Sequence, residues 1–106
     1  MTPTTHIIIT TTCNTEVCRD ALVQGLVEGK LAACVQVSDI QSHYHWKGKV
    51  AHDREFLLTI KTRDALKDKV EAFIKATHSY ECPQIVVYPM LAASAEYLTW
   101  MDEVTQ

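Results

Sequence analysis

A chain of 106 residues has room for one domain built around one modest core. Its composition, 47% hydrophobic and 22% charged with only 3 Gly and 3 Pro, excludes a low-complexity or disordered chain. The net charge of −3, with Lys and Arg scattered, gives no basic field for nucleic acid or anionic lipid. No apolar run approaches the roughly 20 residues that span a bilayer. The opening MTPTTHIIIT lacks a basic stretch followed by an apolar core, so no secretory signal is read and a cytoplasmic protein is expected. In that compartment Cys13, Cys18, Cys34 and Cys82 are expected as free thiols.

In chain order, HIIITTT at 6–12 is β-branched almost throughout and predicts a strand. Asn14 is placed to cap the helix that follows, with Glu16 in its first turn. Cys18, Leu22, Gly25, Leu26 and Gly29 recur at helical spacing, and Gly29 suits the helix end. LAACVQV starts a second strand that runs to Trp46, with an irregularity expected near Ser38-Asp39. Lys47-Gly48 marks a turn, and FLLTIKT at 56–62 is the third strand. Leu66, Val70, Phe73, Ile74 and Thr77 define a second helix, with Thr62 or Asp64 as its cap. QIVVYP at 84–89 is the fourth strand, and Ser94 caps a last helix with Tyr97, Leu98 and Met101 on one face.

This order, β-α-β-β-α-β plus a terminal helix within one domain spanning 1–106, predicts an α+β ferredoxin-like split arrangement. Right-handed crossovers put both longer helices on one face of a four-stranded antiparallel sheet. A sheet with one wet face should alternate apolar and polar residues. Instead Ile7-Ile8-Ile9, Phe56-Leu57-Leu58 and Ile85-Val86-Val87-Tyr88 are apolar at successive positions. One short helix is too little to cover the second face, so another subunit is expected there.

If Lys47 and Gly48 form a two-residue loop, hairpin partners have residue numbers that sum to 95. Val37 then meets Leu58, Val35 meets Ile60, and His43 meets His52, with His45 on the same face. Cross-strand side chains at that spacing can share a Zn, Cu or Ni ion. Histidine also fills exposed strand positions without binding anything, and both readings stand. Cys13, close to a helix N-terminus, is a candidate for a lowered thiol pKa and metal ligation, or simply packs. In THSYECPQ at 77–84, His78 and Glu81 offer a metal site or an acid–base pair, while the same residues also read as a helix stop before Pro83. No nucleophile elbow, phosphate-binding Gly loop or HExxH motif is present.

KLAACVQV, YHWKGKV, the pattern Glu55-x-x-Leu58-x-x-Lys61-Thr62, HSYECPQI followed by Pro89, and YLTW stand in an order and spacing that resembles the CutA divalent-cation tolerance proteins over roughly residues 6–104. The resemblance implies a ferredoxin-like fold in a tight cytosolic homotrimer, similar in structure to the PII signalling trimers, with no enzymatic reaction. It implies tolerance of copper and similar ions, with bound Cu²⁺ or Zn²⁺ as the expected metal. It also implies a subunit cleft carrying Lys61, Tyr80, Glu81 and Trp100. The metal ligands it suggests, a thiol ending the first strand and two adjacent histidines ending the second helix, fall here on Thr11 (with Cys13 two residues on) and on Thr77-His78. Together with the candidates read from the residues themselves, the expected metal-ligating residues are His78, Cys13, Glu81, His43 and His52.

Overall fold

A computed structural model describes residues 5–106. The elements are β1 (His6–Cys13), α1 (Glu16–Glu28), β2 (Cys34–Trp46), β3 (Lys49–Arg63), α2 (Lys67–Thr77), β4 (Val86–Pro89) and α3 (Ala95–Val104), with one 3₁₀ turn, Asp64–Leu66, leading into α2. The sheet order is β2-β3-β1-β4 and every neighbouring pair is antiparallel. This is the ferredoxin-like topology that the order of elements predicts. No helix among the described residues is long and apolar enough to cross a membrane.

The β2–β3 hairpin sets the geometry. Its pairs run without interruption from Cys34↔Lys61 to Trp46↔Lys49. The irregularity expected near Ser38-Asp39 is absent, because those residues sit directly opposite Leu57 and Phe56. Their polarity reflects exposure and not a break in the ladder. Lys47 and Gly48 have φ of 51° and 80°. Two successive positive values make the turn type I′, whose twist matches that of the flanking strands.

Alternation along the strands sorts side chains to two faces. On one, Ile7, Ile9, Leu58 and Ile60 pack against Leu22 and Leu26 of α1 and Val70 and Ile74 of α2. Gly25 is where the two helices approach closely: a Cβ there would lie 2.1 Å from Cζ of Phe73. Both expected helix N-caps of α1 and α2 differ, while Gly29 is the C-cap of α1 as expected. Thr15, not Asn14, caps α1, its Oγ1 accepting from the amide of Cys18 at 3.1 Å. At the other end Gly29 stays right-handed and Lys30 takes the left-handed conformation, φ 58°. The amides of Lys30 and Leu31 reach back to the carbonyls of Val27 and Leu26, a Schellman closure. Neither Thr62 nor Asp64 caps α2 by its side chain. Thr62 is buried and gives its hydroxyl proton to the carbonyl of Leu31 at 2.6 Å, tying β3 to the segment after α1. Ser94 caps α3 as expected.

On the second face, cross-strand rows are read directly from the register: Cys34–Lys61–Ile8–Tyr88, then Gln36–Thr59–Thr10–Val86, then Ser38–Leu57–Thr12. α3 covers the end beside the first row through buried Met101, a His6 Nε2–Asp102 Oδ1 bond of 2.9 Å and an Arg63 Nε–Thr105 Oγ1 bond of 2.9 Å. The segment 78–84 reaches the other end, where Gln84 donates to Thr10 Oγ1 at 3.2 Å. Between them Val86 remains 39% and Tyr88 48% exposed.

Cys13 lies fully buried in the core beside α1. Burial, chiefly, with Cys18 and the Glu55 carboxylate adding to it, pushes its thiol up from 9.0 to about 12. This reverses the lowered value expected from a position near a helix N-terminus: the side chain is packed among apolar groups instead of facing the free amides. A raised pKa stabilises the fold below the unfolded-state value and loses that contribution as pH climbs. Unfolding free energy should therefore fall between pH 9 and about 12, and a Cys13→Val variant should show a shallower decline in urea titrations. Among the described residues, the hydroxyl of buried Thr11 has no hydrogen-bond partner. Thr11→Val should raise stability by roughly 1 kcal/mol at unchanged denaturant slope, since the isosteric swap removes an unpaired polar atom.

Candidate functional site beneath the hairpin arm

β1 ends at Cys13, opposite Phe56, so the hairpin beyond that row projects as a two-stranded arm. The connection from α2 to β4 runs beneath it. Between them lies an open cleft of about 700 Å³, lined by Tyr44, Trp46, Glu55, Tyr80, Glu81 and Cys82, with His43 bordering it from the edge strand.

Glu55 faces Ile40 in the register, on the second face of the sheet, and is only 7% exposed. A buried carboxylate needs a donor, and Tyr80 supplies it through an Oη–Oε2 bond of 2.6 Å. Burial first, then the bond and charge of Glu55, holds the Tyr80 phenol well above its ordinary range, so it remains a proton donor. His78, the C-cap of α2, fixes the loop that carries Tyr80. The Tyr80 amide donates to His78 Nδ1 at 3.0 Å, which leaves the proton on Nε2 to donate to the Thr12 carbonyl at 2.6 Å. Both ring nitrogens are therefore engaged with backbone. On the arm, Tyr44 donates to Asp53.

The other expected site residues fall in separate places. His43 and His52 are cross-strand partners, their rings stacked with centroids 4.1 Å apart and planes 8° from parallel. His52 Nε2 also bonds Gln41 Oε1 at 3.1 Å. Glu81 is exposed at the cleft. Lys61 lies under α3, its Nζ 5.6 Å from the Tyr97 ring centre, and Tyr97 in turn meets Trp100 at 5.4 Å. Six residue steps along β3 separate Lys61 from Glu55, about 20 Å along the strand. Within one chain, Lys61 and Trp100 thus sit at one end of the second face and Tyr80 at the other.

Among the described residues, no three His, Cys, Asp or Glu side chains converge on a point that could hold a metal ion. The positions that the family resemblance assigns to a copper ligand set do not fit one here. Thr11 offers a hydroxyl buried in the core, Cys13 a protonated and buried thiol, and His78 two nitrogens already bonded. Sequence reasoning missed Glu55 as a site residue and the Tyr44–Asp53 bond. Strand alternation does put Glu55 on the second face, but nothing local links it to a tyrosine 25 residues later.

Comparison with known proteins assigns the chain. The family model described as CutA1 divalent ion tolerance protein matches residues 7–104. The divalent-cation tolerance protein CutA of Thermus thermophilus is 39% identical over 101 residues, 94% of this chain and 97% of that protein. The chloroplastic Protein CutA 1 of rice is 41% identical over 86 residues, 80% of this chain but 49% of its own length. The chain spans about half the length of the plant and mammalian relatives it matches. The crystal structure of CutA1 from Oryza sativa superposes with a TM-score of 0.92 at 35% identity, covering 97% of this chain and 95% of that one. CutA from Synechococcus elongatus gives 0.93 at 31% identity, covering 100% and 95%. The chain belongs to the CutA1 divalent-ion tolerance family.

Proposed function

We propose that this protein works without catalysis, as a cytosolic homotrimer that binds divalent metal ions such as Cu²⁺ or Zn²⁺ and takes part in divalent-cation tolerance. Family membership over residues 7–104 carries the tolerance role. The trimer is supported by the sheet. A face whose central rows hold Ile8, Leu57, Val86 and Tyr88, the last 48% exposed, has more apolar surface than α3 and the 78–84 segment cover. An arm bearing exposed Trp46 and Val50 adds surface of the same kind.

A second reading has a specific observation behind it. Lys61 with Tyr97 and Trp100 stands at one end of the second face, and the Glu55–Tyr80 cleft at the other. Packing of a neighbouring copy across that face is what would bring such groups into one pocket. A PII-like trimer would use that pocket for a small anionic effector or a partner protein, with Lys61 as counter-charge.

Sedimentation equilibrium at micromolar concentration should return three times the 12.0 kDa chain mass, and a value near 12.0 kDa would remove the trimer. Titration with Cu²⁺ and with Zn²⁺ should show saturable uptake, with Mg²⁺ as the comparison. A protein that takes up neither ion would end the cation-binding reading. The effector reading separates cleanly, because Lys61→Ala should weaken binding of a small anion while leaving Cu²⁺ uptake unchanged.

A further inference from the structure

The arm holds a histidine pair that the cleft chemistry does not use. Counting back from the type I′ turn, Trp46–Lys49 closes the loop as a hydrogen-bonded pair. Pairs then alternate, so His43–His52 falls on a non-hydrogen-bonded position. At such positions the two Cα atoms lie about 4.5 Å apart and the side chains are at their closest. The stacked rings, 4.1 Å between centroids, express that closeness. Both residues are exposed.

The surroundings define what the pair can take. Alternation puts His43 and His52 on the face opposite Tyr44 and Asp53. In the adjacent rows the same face carries Gln41 and Arg54 on one side, His45 and Val50 on the other. No carboxylate stands in either row. A hard cation such as Mg²⁺ or Ca²⁺, which needs several oxygen ligands, finds only the Gln41 amide oxygen in these rows. Imidazole nitrogens suit Cu²⁺, Ni²⁺ and Zn²⁺, and the positive charge of Arg54 adds nothing to attract a cation. Selection therefore rests on the nitrogen donors.

We infer that His43 and His52 form a two-nitrogen chelating site for a borderline divalent cation on the outer face of the hairpin arm. Metal–nitrogen bonds of 2.0–2.1 Å require the two donor atoms to stand about 3–3.4 Å apart. Parallel rings do not aim both lone pairs at one point, so capture turns the exposed imidazoles about their side-chain torsions. His52 gives up its bond to Gln41 in doing so. The backbone needs no rearrangement, because the turn and the unbroken ladder already hold the two Cα atoms in place. Solvent or a second molecule completes the coordination. The inference rests on the cation-binding reading above and gives it a location, at a point where the positions implied by the family resemblance have lost their donors.

The test is calorimetric titration of the full-length protein with Cu²⁺ in a non-coordinating buffer. One equivalent per chain should bind most tightly. His43→Ala and His52→Ala should each weaken that equivalent by about 10-fold or more, because the chelate is lost, and the double variant, with neither imidazole left, should lose the equivalent altogether. Exposed substitutions should leave the sedimentation mass and circular dichroism unchanged. Independently of any variant, substoichiometric Cu²⁺ should broaden the backbone resonances around residues 43 and 52 first. Wild-type affinity in either single variant, or broadening centred on Glu81 and Cys82, overturns the site. Uptake that persists in the double variant overturns this inference alone, whereas no uptake by the wild-type protein overturns the cation-binding reading with it.

Discussion

The β2–β3 ladder is the constraint on which the rest depends. Its register is set at two places far apart: a type I′ turn at Lys47-Gly48 and the apolar pairs Val37↔Leu58 and Val35↔Ile60. A shift of one residue would move every side chain of β2 to the other face. It would turn Val35 and Val37 away from Ile60 and Leu58 and separate His43 from His52. The same ladder decides that Glu55 faces the cleft and that Phe56 does not. Core, cleft and histidine pair are three consequences of one alignment.

Polar groups on the second face divide the labour differently from the apolar core. Buried Glu55 is satisfied by Tyr80, and Tyr80 is positioned by His78, which is itself held by Thr12. Each link uses a group that is costly to leave unpaired, so the chain of bonds fixes the 78–80 loop against β1 and β3. His78 is thus a structural keystone of the cleft wall. Both of its ring nitrogens are engaged with backbone groups, Nε2 with the Thr12 carbonyl and Nδ1 with the Tyr80 amide.

What could be read from the amino-acid string was whatever repeats with a period. The order of strands and helices, the two-residue loop and the summed register follow from β-branched runs, turn residues and helical spacing, and they place His43 opposite His52, although β2 starts at Cys34 instead of Leu31 and β4 at Val86 instead of Gln84. What could not be read was local geometry without a period. Thr15 outcompetes Asn14 as a cap by one position, and Lys30, just after the Gly29 C-cap, takes a left-handed conformation that no sequence period announces. Cys13 looked like a thiol beside helix amides, yet its side chain belongs to the core. The Glu55–Tyr80 bond joins residues far apart in sequence, and only the crossing of the α2–β4 connection beneath the arm brings them together.

The sheet order also says something about synthesis. β1 is made first, yet both of its neighbours, β3 and β4, come from the later part of the chain. Until residues 49–63 leave the ribosome, the most buried strand of the finished sheet has no partner on either edge, and its second edge waits for residues 86–89. Unpaired edges of this kind template association with other chains. Among the described residues, α1 and the first half of the hairpin are what emerges after β1 and before β3. The central strand that makes the finished sheet rigid is, for most of its birth, the part of the molecule most open to wrong partners.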